Sequence, residues 1–409
     1  MKTNFTLVMV LLAAAFTQTN AQWTNVNTNS VKGLNTISFS GNNAVIGGDN
    51  GTIIHSSDAG LTWSDDSLYW PYDPVLSSGF GSPTSVALGS YKVYTSINSG
   101  VTFSGPYTTS GFGEFEAMDF PSPGNGVAVD DYCNVALSTD GGQNWTVGQH
   151  PCSGSPEMDD LDFPTATVGY LCGPNGNVFK TADGGSTWLP VTAPAASNVN
   201  YHCVSFTDAL TGFISGKTNS GQDTMVFKKT IDGGASWIDM KAPLIAAGVS
   251  YPSVIFSFVF VNANLGYLIH DNKIYKTTDG GASWALDFTS TVSGNASFNK
   301  IVAGPNVVMA VGANGVAARV AGTGTGISEA KIAPQISVYP NPANNTITFG
   351  SFLVEEKDAF LQISDVDGRL VKAEKITTNQ ADIQELMNGI YFGKLVTQSG
   401  NYLFKFVKQ

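Results

Sequence analysis

The sequence predicts an all-β chain: a seven-bladed β-propeller followed by a small β-sandwich of immunoglobulin type. Three observations carry this reading. A short turn string ending in an aromatic residue recurs at intervals in the forties. Short apolar strands alternate with Gly- and Asn-rich bends between the copies. A different strand pattern, lacking the turn string, occupies the C-terminal end.

The repeated strings are SSDAGLTW, STDGGQNW, TADGGSTW, TIDGGASW and TTDGGASW, with aspartates Asp58, Asp140, Asp183, Asp232 and Asp279. A degenerate copy, SINSGVTF, places Asn98 at the same position. Successive copies lie 40, 42, 43, 49 and 47 residues apart, a period that suits one four-stranded propeller blade. Each string makes sense as a hairpin turn. Glycine supplies positive φ, the aspartate accepts hydrogen bonds from turn amides, and the tryptophan (Trp63, Trp145, Trp188, Trp237, Trp284) begins the next strand and buries a large apolar surface.

Upstream of the strings lie paired strands around a bend, such as AVIGGDNGTIIHSS and GYLIHDNKIYKTT, each preceded by a short apolar strand: NTISF, EAMDF, DDLDF, HCVSF or FSFVF. Residues 298–320 supply three strands of a last blade without a turn string. Gln22-Trp23-Thr24-Asn25-Val26 reads as the missing fourth strand, so the N-terminus is expected to close the ring. Closure protects edges that an open array would expose.

Beyond the propeller (22–320), a Gly/Thr-rich linker covers 321–333 and a second domain covers 334–409, with Val366-Asp367-Gly368-Arg369 expected as a tight hairpin turn. Residues 1–21 read as a signal peptide. Lys2 precedes an apolar stretch from Phe5 to Phe16, and Thr19-Asn20-Ala21 offers a cleavage site. That stretch is too short to span a bilayer, and no other segment of the mature chain is long and apolar enough.

The turn strings resemble the Asp-box (BNR repeat) of sialidase-type and sortilin-type propellers. The whole arrangement over 22–320 resembles the photosystem II assembly/stability-factor-like propellers, which implies fold rather than activity. In the tail, Tyr339-Pro340-Asn341-Pro342, Asp367-Gly368-Arg369, Gly389-Ile390-Tyr391 and Lys405-Phe406-Val407-Lys408 closely resemble a type A C-terminal sorting domain of the type IX secretion system. That resemblance implies a Bacteroidota-type host, the type IX machinery as a partner, and a product released or attached at the outer surface after signal-peptide export to the periplasm.

Charge and inventory exclude several functions. The net charge of −12 leaves no basic face for nucleic acid. Sialidase chemistry needs three arginines to clamp a carboxylate, and this chain has only Arg319 and Arg369. His55, His150, His202 and His270 are scattered among blades without a zinc or triad pattern. No acidic loop has calcium spacing, and the Gly-rich stretches lack a phosphate-loop lysine. No cofactor and no metal are therefore expected. Cys133, Cys152, Cys172 and Cys203 suggest two disulfides in an exported protein, and proximity along the chain favours sequential pairing.

Two functions remain, beside a third reading as a purely structural spacer with no ligand-sized cleft. One is a secreted or cell-surface binding or scaffold protein, adhesin-like or assembly-factor-like, without enzymatic activity. Its ligand would be a polysaccharide or a surface protein, held on the long loops 64–82, 104–116, 146–158 and 238–253 opposite the turn strings. Tyr69, Trp70, Tyr72, Tyr107, Phe112 and Phe115 are the aromatic candidates there; the plainer reading is that they cover the rim. The alternative is a glycoside hydrolase. Asp119 and Asp162, on equivalent strands, are expected to line the central channel together with Ser205, with Glu116, Asp160 and Asp65-Asp66 as further carboxylates. The plainer reading of these is solvated channel carboxylates that the repeat itself generates.

Overall fold

The computed structural model describes residues 22–65, 73–152, 157–191, 198–219, 225–249, 254–292, 296–321, 338–349, 359–365, 370–376, 378–396 and 401–409. The expected signal peptide, the linker residues after 321, the 366–369 turn, Asp66, and the aromatic trio Tyr69, Trp70 and Tyr72 lie outside these residues. The chain divides into two compact units near residue 326. Among the described residues no helix is long and apolar enough to cross a membrane.

The first unit contains seven four-stranded antiparallel sheets. Their first strands are Leu34–Ser40, Ser77–Phe80, Phe115–Ser122, Asp160–Asp162, Val199–Phe206, Phe258–Phe260 and Phe298–Gly304. These strands touch in cyclic order, and the last touches the first, so they form the inner wall of a closed ring; we number the blades 1–7 from Leu34. In blade 7 the outermost strand is Thr24–Asn25, registered as Thr24 opposite Arg319 and Asn25 opposite Ala318. The N-terminus closes the ring as the sequence predicts. Trp23 beside it is 3% exposed and packs edge-on against Tyr267 of blade 6 at 5.6 Å between centroids.

The turn strings owe their uniformity to a carboxylate fixed from both sides. Asp58 Oδ1 accepts from Leu61 N, Thr62 N and Ser56 Oγ, and Oδ2 accepts from Thr62 Oγ1 at 2.6 Å. The hydroxyl two positions earlier also accepts from the second glycine's amide, as Ser56 does from Gly60 N. All six turns keep this bond, made by Ser56, Ser96, Ser138, Thr181, Thr230 and Thr277. Where Asn98 replaces aspartate, the +4 bond reverses: its Nδ2 donates to Thr102 Oγ1. The second glycine also lets the turn press on the preceding blade. Gly142 has φ 90°, and a Cβ built there would sit 2.5 Å from Ala87 Cβ.

Blade 2 is the one whose first strand the apolar pattern does not announce, because Ser77–Phe80 reads SSGF. A Cβ on Gly79 would lie 2.6 Å from the Phe120 ring of blade 3, so the neighbouring blade requires the small residue. Between blades 4 and 5 the rings of Tyr170 and Phe206 stack at 3.5 Å, and between blades 5 and 6 Phe213 and Phe260 stack at 3.7 Å. The segment 238–253, read as loop, contains a short helix, Lys241–Ala246, whose Leu244 is fully buried beside Phe258.

The cysteine expectation is corrected in part. Cys133 and Cys152 form a disulfide, whereas Cys172 and Cys203 are buried free thiols. They sit on strands of different blades, 4 and 5, whose places are set by strand pairing rather than by chain proximity.

The second unit holds two sheets. One orders Val338–Tyr339, Thr346–Phe349 and Gln380–Asp382; the other orders Leu370–Ile376, Ala359–Ser364, Gly389–Val396 and Asn401–Lys408. Ile347, Phe349, Leu361, Ile363, Leu395 and Phe406 fill the space between the two. Asn341 ties its motif to the last strand, donating from Nδ2 to Lys405 O and accepting from Val407 N at Oδ1.

Candidate functional site

The inner strands enclose a channel cavity of about 520 Å³, lined by residues of all seven blades, with polar side chains from every blade but blade 6, which contributes Phe256, Phe258 and Val259. Its geometry follows from the bonds that hold neighbouring blades together. At each seam among the described residues, a side chain of one inner or second strand reaches the next blade. Thr36 Oγ1 meets Ser78 Oγ, Ser77 Oγ donates to Phe115 O, Ser215 Oγ donates to Ile255 O, Ser257 Oγ accepts from Ile301 N, and Asn299 Nδ2 donates to Leu34 O.

At the two seams around blade 4 this work falls to carboxylates. Asp119 Oδ1 accepts from Phe120 N at 2.7 Å and Oδ2 from Phe163 N at 3.0 Å. Asp162 Oδ2 accepts from Phe206 N at 2.7 Å, and Asp160 Oδ2 from Val204 N at 3.0 Å. Asp119, Asp162 and Ser205 do line one cavity, but each of these carboxylates also joins its blade to the next. Burial pushes Asp119 up to about 6 against its two backbone hydrogen bonds. Burial, then the charge of Asp119, raises Asp162 well above the usual carboxylate range.

The inner strands begin at the end of the ring opposite the turn strings, and there the wall is acidic. Between Lys92 and Lys180 the chain has no Lys or Arg, and its carboxylates fall in blades 3 and 4. Glu114 and Asp131 meet where Glu114 N donates to Asp131 Oδ1 at 2.9 Å. Glu116 and Asp159 line the cavity with His202, whose Nδ1 is 3.0 Å from Asp159 Oδ1. Burial pushes Glu116 up to about 8, reinforced by the charges of Glu157, Glu114, Asp131 and Asp159. Tyr91, Tyr132 and Phe256 are each more than half exposed, and the Phe256 ring lies 5.1 Å from His202.

The aromatic candidates separate. Phe115 is 1% exposed and faces Phe112 at 4.5 Å and Trp145 at 5.7 Å, so Phe115 serves packing, while Phe112 is half-buried against it. Tyr107 lies on the outermost strand of blade 2, 46% exposed. Sequence reasoning missed Lys300, which enters the same cavity and pairs with Asp160 at 3.2 Å. It also missed the role of Arg319, whose Nε donates to Ala59 O of blade 1 at 3.2 Å. Lys180 and Lys229 do the same to Gly233 O and Gly280 O of their following blades. For the two lysines the signal was present: each stands three positions before a turn aspartate, Asp183 and Asp232. No group of three or more His, Cys, Asp or Glu suited to a metal occurs among the described residues.

Comparisons with known proteins agree with this architecture. Residues 142–315 match the family model for photosynthesis system II assembly factor YCF48, and residues 337–409 match that for the secretion system C-terminal sorting domain. The structure of YCF48 bound to D1 peptide is similar at TM-score 0.59 and 17% identity, covering 73% of this chain and 96% of that one. YCF48 from Cyanidioschyzon merolae gives 0.58 and 17%, covering 74% and 99%. The GH74 xyloglucanase from Xanthomonas campestris gives 0.54 and 15%, covering 81% of this chain and 59% of that one. At these identities the likeness is one of fold. No curated protein sequence matches the chain. The sorting domain marks the chain for export by the type IX secretion system, to the cell surface or the extracellular space.

Proposed function

We propose that this is a secreted or cell-surface binding and scaffold protein, whose ligand docks on the loop face around the acidic mouth of the channel. The observation that carries this reading is the commitment of Asp119 and Asp162 to backbone amides of the next blade. A carboxylate holding a seam at 2.7–3.0 Å is poorly placed to attack a sugar or release a proton. The exposed Tyr91, Tyr132 and Phe256 at the mouth suit a protein or polysaccharide surface. The D1 peptide bound by YCF48 is a precedent for peptide docking on a propeller of this form. Tyr69, Trp70 and Tyr72 belong to this proposal as further docking residues, with Tyr107 at the rim. Export would use the signal peptide at 1–21, with the C-terminal domain as the address read by the type IX machinery.

The second reading is a carbohydrate-active hydrolase. Glu116, held protonated up to about 8 at the cavity wall, is in the state a general acid requires. A polysaccharide-hydrolysis screen separates the two. The binding reading expects no turnover by the wild type; turnover abolished by Glu116→Gln, Asp119→Asn or Asp162→Asn would overturn it. In the same preparation, replacing Tyr69, Trp70 and Tyr72 together should weaken adhesion to polysaccharide or cell-surface preparations without lowering Tm.

A further inference from the structure

Every seam bond described above joins neighbouring blades, with one exception. Lys300 lies on the inner strand of blade 7 and Asp160 on that of blade 4, three blades away around a ring of seven and therefore across the channel. Nζ of Lys300 is 3.2 Å from Asp160 Oδ1, while Asp160 Oδ2 accepts from Val204 N. Each carboxylate oxygen is thus committed, one to the next blade and one to the far wall.

The two residues occupy the same position in their repeats, three before the Phe163 and Ala303 positions that align with Phe39 and Phe206. At that position the other five blades carry Thr36, Ser77, Ala117, Cys203 and Ser257, all without formal charge. A single opposite-charge pair therefore stands on facing blades in an otherwise uncharged tier. Lys300 is also the only Lys or Arg among the described residues lining the cavity, beside Asp119, Asp159, Asp160 and Asp162. The Asp160 side chain is 9% exposed and that of Lys300 33%, so the pair is shielded from the screening that empties surface ion pairs of value.

We propose that Lys300 is the built-in occupant of an ammonium site on Asp160: a cross-channel latch that ties blade 7 to blade 4 and keeps external cations off that carboxylate. Blade 7 is the blade assembled from both ends of the propeller, so a tie from it to the opposite wall holds the closing seam in register. Removing the ammonium leaves a partly buried carboxylate without its partner, which is far costlier than losing an exposed pair.

The test uses the full-length secreted chain. Lys300→Met should lower Tm by on the order of 5 °C. Asp160→Asn, which keeps an acceptor for Val204 N, should lower it too, and the double variant should lose clearly less than the sum. Millimolar n-propylamine should raise the Tm of Lys300→Met, but not that of the wild type or of the double variant. A wild-type Tm in Lys300→Met, additive losses, or equal amine effects in all three would overturn the latch. Should Lys300→Met fail to fold, the double variant should recover folding because neither charge is then left alone. Failure of the double variant beside a wild-type-like Asp160→Asn would count against the proposal.

Discussion

Trp23 Nε1 donates to Asp287 Oδ2 at 2.9 Å, joining two residues 264 positions apart. The indole immediately precedes the outermost strand of blade 7, and the carboxylate belongs to the outermost strand of blade 6. In blades 1, 3 and 4 the tryptophan instead donates to its own turn, as Trp63 Nε1 does to Gly60 O, Trp145 Nε1 to Gly142 O and Trp188 Nε1 to Gly185 O. Blade 7 has no turn string, so the closing tryptophan finds its acceptor on the neighbouring blade.

Trp23→Ala should therefore destabilise the propeller by about 3–5 kcal/mol, the usual cost of emptying a buried aromatic site. Trp23→Phe should cost less, since it keeps part of the apolar contact with Tyr267 but leaves Asp287 without this donor. Thermal or urea unfolding of the two variants gives the ranking; a wild-type-like Trp23→Ala would mean that the ring does not depend on this strand.

The turn aspartates predict an acid limb. Burial alone would raise Asp58, but hydrogen bonds from Thr62, Ser56 and Leu61 outweigh it and hold the carboxyl at about 2; Asp232 is held at about 2 by Ser236 and Thr230. A carboxyl lowered by folding contributes stability that is present above its unfolded value, near 4, and is lost as pH falls toward 2. Asp58→Asn should be mild because Asn98 already serves one turn, while Asp58→Ala should lower Tm more and flatten the acid limb. Melting curves from pH 2 to 5 read both effects.

Glu116 predicts the opposite slope. Its carboxyl is raised by burial and by its acidic neighbours, so the folded chain holds a proton that the unfolded chain has released between about 4.5 and 8. Stability should fall as pH rises through that window. Glu116→Gln should remove that part of the pH dependence and raise Tm at pH 9 relative to the wild type. An unchanged profile would place the proton elsewhere in the acidic mouth.

The cysteines predict a thiol count. Alkylation of the native protein should modify neither Cys172 nor Cys203, both buried; unfolding without reductant should expose those two, and reduction should release Cys133 and Cys152 as well. Mass spectrometry reads the labelled positions. Replacing Cys133 and Cys152 with alanine should cost about 2–4 kcal/mol.

The repeat period, the turn aspartates, the blade number and the closing role of Trp23 were all legible in the chain. Each depends on local chemistry that recurs: a hydroxyl, a carboxylate and a glycine within one hairpin dictate that hairpin wherever it occurs. The tail was legible from the motifs around Asn341 and Tyr391, although the bonds of Asn341 itself reach Lys405 and Val407, 64 and 66 positions away. What lay beyond the sequence concerns partners brought together by ring geometry. Phe115 looks like part of a free aromatic face until Trp145 is placed against it. Cys172 and Cys203 look like a pair until they fall on separate blades. The bonds that Asp119 and Asp162 accept from the amides of Phe163 and Phe206 cross between blades, so the strand pattern alone does not show them. Lys300 carries no local signal at all, because its partner lies 140 positions away. Local hydrogen bonding and periodic burial determined the blades; the closing of seven of them around one channel decided which polar groups meet inside it.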